Sequence, residues 1–215
     1  MEMILSPSIL SADFAALGKQ IERLEKVGVE WIHIDVMDGM FVPNLSFGFP
    51  IVSSLRKITS LVLDVHLMIH APERYIERFI DAGADMVTFH AEATADIDRC
   101  IGIIKEKGAK AGLAISPDTP YDVVLPYLDK IDMVLCMTVE PGYGGQAYMS
   151  AVEDKIRKIR EFAGDDMLIQ VDGGINPKNI IEPVAAGANV IVAGSAVFNG
   201  DVEENIKELA GCVQL

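Results

Sequence analysis

Cysteine is scarce in this chain and badly placed for bridging. Cys100, Cys136 and Cys212 are odd in number, far apart and without CxxC spacing. That excludes a disulfide framework and a cysteine zinc site, and leaves reduced thiols. Basic residues are few as well: 18 Lys and Arg stand against 32 Asp and Glu, a formal charge of −14 at pH 7. Such a field opposes phosphate backbones and anionic membrane surfaces, which excludes nucleic acid and lipid headgroups as partners. A small anionic substrate must then be held by a local array of donors. No run approaches the roughly 18 apolar residues of a membrane span, and the start MEMILSPSILSADF lacks the basic segment and long apolar core of a secretory signal. No Pro/Ser/Gly-rich linker or low-complexity tract interrupts the sequence. The expectation is a soluble, cytoplasmic chain forming one domain over residues 1–215.

What the chain does contain is alternation. Apolar runs of strand length recur as Glu2 to Ile9, WIHIDV from Trp31, LVLDVHLMI from Leu61, MVTFH from Met86, AGLAIS from Ala111, IDMVLCMTV from Ile131, LIQVD from Leu168 and NVIVAG from Asn189. Each is followed by a helical pattern. Leu17, Ile21, Leu24 and Val27 share one helix face before Gly28, and further helices are expected at Ile51 to Leu55, Glu73 to Ala82, Asp96 to Lys107, from Tyr121, from Ser150, from Pro177 and over Val202 to Cys212. Eight near-continuous apolar strands alternating with amphipathic helices predict a parallel sheet covered on both faces. The predicted fold is an α/β, single-domain (β/α)8 TIM barrel. An open doubly wound sheet is the competing fold, but SPSILSADF stands after the first strand where that fold carries a GxGxxG turn.

In a (β/α)8 barrel, chemistry sits at the C-terminal strand ends and the loops beyond them. His33 and Asp35 pass that test. Two residues apart on a strand, they point to one face, with Cα atoms about 6 to 7 Å apart, a span that two side chains bridge to hold one ion. On that segment alone, a satisfied core histidine and a turn aspartate are an equal account. His66 at strand three and Asp172 at strand seven tip the balance, because independent strand ends then agree. Mixed imidazole and carboxylate ligation suits Zn2+, with Fe2+, Mn2+ and Co2+ as competitors, and two carboxylates neutralise a divalent ion. His90 ends strand four beside Glu92 and reads as an outer or structural histidine; His70 falls in a turn.

Glycine-rich loops form a second array: Pro141-Gly142-Tyr143-Gly144-Gly145-Gln146 after strand six, Asp172-Gly173-Gly174 after strand seven and Gly194-Ser195 after strand eight. None contains Lys or Arg. A phosphate there would be held by backbone amides, the Ser195 hydroxyl and a helix N-terminus. Met37 and Met68 lie two residues beyond Asp35 and His66 and share their face; with Met137 they read as an apolar wall around the site as well as core fillers.

The segments SPSILSADF, HIDVMDGMFVPNLSFG, DVHLMI, GLAISPDTP, MTVEPGYGGQ, IQVDGGI and VAGSAVF together resemble the ribulose-phosphate 3-epimerase family, from Ser6 to Phe198. The resemblance implies interconversion of D-ribulose 5-phosphate and D-xylulose 5-phosphate in the pentose phosphate pathway, through an enediolate stabilised by the metal. Inversion at C3 needs two acid/base groups on opposite faces of the carbon, and the resemblance gives these roles to Asp35 and Asp172. It makes Ser8 a substrate-binding serine, sets His66 against both metal and substrate, and turns the loop of Gly142, Tyr143, Gly144 and Gly145 into a mobile phosphate cover. It also implies a homo-oligomer, dimer or hexamer. Met40 and Tyr143 depart from the family, which commonly has His and Phe there.

Three rival functions compete with this one. A 3-epimerase of a hexulose 6-phosphate such as allulose 6-phosphate would share metal, bases and phosphate loops, but SFG after Pro43-Asn44-Leu45 looks more like the five-carbon enzyme. A metal-free phosphate-binding decarboxylase would need a lysine among its aspartates, and Asp35-Val36-Met37-Asp38 has none. A sugar-phosphate binder without catalysis would exchange no proton at C3.

Overall fold

A computed structural model describes residues 3–213. Eight strands, β1 (Ile4–Pro7), β2 (Trp31–Met37), β3 (Val62–Met68), β4 (Met86–His90), β5 (Lys110–Ile115), β6 (Met133–Met137), β7 (Leu168–Asp172) and β8 (Val190–Ala193), form one parallel sheet in the order β1-β8-β7-β6-β5-β4-β3-β2. The ends of that order meet at a parallel bridge between Ser8 and His33, so the sheet curls into a nearly closed barrel. The predicted (β/α)8 barrel is the observed fold.

Helices cover the outside: α1 (Leu17–Lys26), α2 (Phe49–Arg56), α3 (Ile76–Asp81), α4 (Ile97–Glu106), α5 (Glu153–Ala163), α6 (Ile181–Ala186), α7 (Ser195–Phe198) and α8 (Val202–Val213). Periodicity explains the packing. In α1, Ile21 and Leu24 fall on one face and are fully buried against outward-pointing strand residues such as Ile32 and Ile34. Burying one such side chain contributes about 1.5–3 kcal/mol. At the helix end, Gly28 takes φ 81, a left-handed turn that glycine adopts without steric cost. Inside the barrel, Trp31, Met86, Met133 and Val190 pack as an apolar plug with Ile4, Val62 and Leu168 at the N-terminal strand ends.

Local chemistry bends several expectations. No α-helix follows β5; Tyr121–Val123 and Leu125–Tyr127 form short 3-10 turns instead. Pro126 lacks the N–H that a continuing helix needs, and its ring would strike the preceding turn. The helix expected from Pro177 starts later, at Ile181, which puts Pro183 in the first turn where its missing N–H leaves no bond unmade. The first strand stops at Pro7, with Ile9 already in a 3-10 turn, and its predicted start at Glu2 lies outside the described residues. Beyond β8, the four-residue α7 precedes the expected last helix. Among the described residues, no helix is long and apolar enough to cross a membrane.

Candidate active site

Alternation along the strands builds the site. The inward positions of β2 are His33, Asp35 and Met37, standing opposite Asp64, His66 and Met68 of β3. On β7 they are Gln170 and Asp172, and Asp172 pairs with Met137 of β6. All nine lie at or just below the C-terminal mouth of the barrel.

Four of them converge. His33, Asp35, His66 and Asp172 each offer one ligand atom, and these atoms lie within 4.8 Å of one another. His33 Nε2 and His66 Nδ1 stand 3.1 and 3.0 Å from Asp35 Oδ1, and 3.7 and 3.8 Å from Asp172 Oδ2. Ligands about 2.0–2.2 Å from a tetrahedral zinc ion lie roughly 3.3 Å apart, so these spacings bracket the edges of such a site. The residues fit a divalent ion by donor type, by spacing and by charge.

The electrostatics of the four are unequal. Burial opposes ionisation of Asp35, but the adjacent His33 and His66 hold its carboxyl far below the ordinary range. Burial pushes Asp172 the other way, to about 7, and the neighbouring Asp35 charge adds to the rise. Burial alone would depress His33, yet Asp35 and Asp64 lift it well above the usual imidazole value. Burial lowers His66. Asp172 keeps 16% side-chain exposure against 0–4% for the others, which makes it the member most open to the cleft.

Asp35 and His66 are braced from outside the cluster. Just past β1, Ser8 donates from Oγ to Asp35 Oδ2 at 2.6 Å. His66 Nε2 faces His90 Nε2 at 2.9 Å, and His90 Nδ1 faces Glu92 Oε2 at 3.2 Å. Glu92 also accepts from the Ser116 N–H and the Thr119 hydroxyl. Burial drops His90 to about 4. Burial opposes ionisation of Glu92, but His90, Ser116 and Thr119 hold it at about 2. A neutral His90 that donates to ionised Glu92 must accept from His66 Nε2–H, which leaves His66 Nδ1 bare toward the centre.

Above this centre lies a cleft. Its walls include Met37, Met68 and Met137, and its rim includes Tyr143, Gly174 and Ser195. The glycines are there for space. A Cβ on Gly174, at φ +69, would fall 2.4 Å from the Tyr148 backbone N, and one on Gly173, at φ +127, would fall 2.4 Å from Val139 Cγ2. The loop after β6 is tied by Gln146, which donates to the carbonyls of Glu140 and Tyr143, and by Asn44, which donates to the Gly142 carbonyl at 2.8 Å. Neither lysine nor arginine lines the cleft among the described residues.

Comparison with known proteins fits this arrangement. The model of the ribulose-phosphate 3 epimerase family matches residues 4–198. A "Ribulose-phosphate 3-epimerase" of Bacillus subtilis (strain 168) is 50% identical over 212 residues, covering 96% of this chain and 98% of that protein. The chain belongs to the ribulose-phosphate 3-epimerase family. A further member, "Ribulose-5-phosphate-3-epimerase, chloroplastic" of Arabidopsis thaliana, is 48% identical, covering 96% of this chain and 75% of the relative. Solved structures share the fold at low identity: a 3-hexulose-6-phosphate synthase (TM-score 0.75, 18% identity, 98% of this chain and 99% of the other) and a mutant tryptophan synthase alpha-subunit from Pyrococcus furiosus (TM-score 0.74, 16% identity, 98% of each).

The structure brings Asp35, Asp172, Ser8, the three methionines and the three glycine loops to one cleft, with His33 and His66 buried beneath it. The methionines divide, however. Met37 and Met68 pack with Val42, whereas Met137 packs with Ala114, Leu135 and Val139 on another side. His70 only donates its backbone N–H to Asp38. Asp64, Gln170 and Ser6 were missed, although each stands two residues before a recognised site residue and so shares its face.

Proposed function

We propose that this chain, acting as a single (β/α)8 domain over residues 1–215, interconverts D-ribulose 5-phosphate and D-xylulose 5-phosphate by two-base proton transfer at C3, a step of the pentose phosphate pathway. The observation that carries the reading is that two aspartates, Asp35 from β2 and Asp172 from β7, converge with two histidines on one centre beneath a cleft. Two carboxyl groups at one centre can serve as the two acid/base groups that inversion needs.

Asp35 takes the C3 proton from one face and Asp172 delivers a proton to the other; in the reverse direction their roles exchange. They stand on β2 and β7, with β1 and β8 between them, so they approach a bound sugar from different sides of the barrel. Ser8 holds Asp35 in orientation. His33, Asp35, His66 and Asp172 together would hold one divalent ion, best suited to Zn2+, with Fe2+, Mn2+ and Co2+ as competitors. When bound, that ion would supply Lewis acidity to oxygens on which negative charge develops. The methionine wall keeps bulk water from the carbanionic carbon. The phosphate rests on backbone N–H groups of Gly173, Gly174 and Gly194 with the Ser195 hydroxyl, under the loop of Gly142, Tyr143, Gly144 and Gly145. His66 would meet the substrate as well as the ion. The free cysteines suit the cytoplasm. The exposed apolar groups Met40, Leu45 and Phe14, the last edge-on to Phe47 at 5.1 Å, suit association into a homo-oligomer, dimer or hexamer.

The test follows D-ribulose 5-phosphate in deuterated buffer by NMR. Xylulose 5-phosphate should appear with deuterium at C3, and kcat/KM should exceed that for allulose 6-phosphate. Binding without exchange would reduce the protein to a sugar-phosphate carrier, and a higher kcat/KM for the hexulose would reassign its substrate.

A further inference from the structure

A buried carboxylate below the cluster has no part in the chemistry so far. Asp64 is fully buried on β3, and all its bonds meet at one oxygen. Its Oδ2 stands 2.7 Å from His33 Nδ1, accepts from Gln170 Nε2 at 2.6 Å and accepts from the Ser6 hydroxyl at 3.4 Å. Its other oxygen, Oδ1, has no hydrogen-bond partner among the described residues. A carboxylate in the centre of a barrel is costly to bury, and three convergent donors on a single atom show which atom the fold is built to hold.

We propose that Asp64 is a positioning residue that fixes the tautomer and ring orientation of His33, and that Gln170 and Ser6 hold Asp64 in place for that purpose. The inference rests on the metal reading of the cluster. A carboxylate can only accept, so the proton of a neutral His33 lies on Nδ1. Nε2 is then bare and aimed at the cluster, 3.1 Å from Asp35 Oδ1 and 3.7 Å from Asp172 Oδ2. A carboxylate behind the imidazole also makes the ring a better donor to an ion. Across the register the other ring is set oppositely, since His66 turns Nδ1 inward and Nε2 toward His90. Two histidines on neighbouring strands thus use different nitrogens. Asp64 is the feature that lets His33, one position deeper than Asp35, reach the same point.

Two measurements on the intact protein test this. The first needs no variant: long-range proton–nitrogen NMR of the zinc-loaded protein should show His33 protonated at Nδ1 and bound through Nε2. A His33 protonated at Nε2 would overturn the proposal outright. The second is zinc affinity by chelator competition. Asp64→Ala should weaken binding by about 10- to 100-fold. Asp64→Asn keeps an oxygen that accepts from Nδ1–H and should recover most of that loss, which a purely space-filling role does not predict. Wild-type binding with an unaltered affinity in Asp64→Ala would sink the inference and spare the metal site. A wild-type protein that takes up no divalent ion would overturn the metal reading and this inference with it.

Discussion

Ser8 and Asp35 hydrogen-bond at 2.6 Å across the one pair of neighbouring strands that is joined by an isolated bridge rather than a continuous ladder. The barrel seam and the proposed base therefore share a single contact. Ser8 also accepts from the Leu10 N–H, so its hydroxyl is turned toward Asp35 by the chain that leaves β1.

Replacing Ser8 by Ala removes a hydrogen bond to a charged group, which is worth about 1.5–3 kcal/mol. Where that loss is felt in the transition state, kcat/KM should fall by roughly 10- to 100-fold. Zinc content should stay at the wild-type level, because Ser8 is not one of the four clustered ligands. Steady-state kinetics and elemental analysis on one preparation check this. Unchanged kinetics would reduce Ser8 to a clasp of the seam.

The two aspartates separate under isotope exchange. Asp172→Asn should depress epimerisation by roughly 10²- to 10⁴-fold, the range lost with a general acid or base. Asp35 remains, so one epimer should still exchange its C3 proton with deuterated solvent faster than it inverts. Asp35→Asn should show the same behaviour with the other epimer. Zinc must be measured alongside, because each change also removes a ligand charge. Equal exchange from both epimers in either variant would contradict the assignment of one base to each face.

Much of this site was legible because strand periodicity is local. His33 and Asp35, or Asp64 and His66, are visible as same-face pairs within three residues, and the glycine loops sit where barrel strands end. What was not legible depends on distant partners. Asp64 receives Gln170 from 106 residues away and Ser6 from 58. Without those donors in view, a buried aspartate carries no sign of its role. Likewise, the four residues of α7 are too few to leave a periodic signal. Pro126 was visible, but only the geometry of the loop after β5 showed that it replaces a helix by two short turns.

The glycine loops carry a prediction about backbone space. At φ +69, Gly174 holds a conformation that side chains disfavour, and an added Cβ would meet the Tyr148 N and Cα at 2.4 and 2.8 Å. Backbone cannot swing aside as a side chain can, so Gly174→Ala must shift either its own turn or the segment through Tyr148. Strain of this kind is worth about 1–3 kcal/mol, and at a phosphate cradle it should appear as a KM raised about tenfold. Zinc affinity should be unchanged. A normal KM, with inorganic phosphate still an effective competitor, would remove the Gly174 turn from the phosphate site.

Proton release on metal uptake tests the charge state of the cluster directly. Without an ion, Asp172 lies at about 7 and His33 well above its ordinary value, so below neutrality Asp172 is protonated and His33 is an imidazolium. Ligation needs a carboxylate and a bare nitrogen, so both must lose a proton as the ion enters. At about pH 6, calorimetry in buffers of different ionisation enthalpy should count more than one proton released per zinc ion, and affinity should rise with pH until both groups have titrated. Asp172→Asn should lower that count by close to one. Zinc uptake without proton release at about pH 6 would show both groups already deprotonated in the metal-free protein, and the pairing of a charged Asp35 with a protonated Asp172 would fail with it.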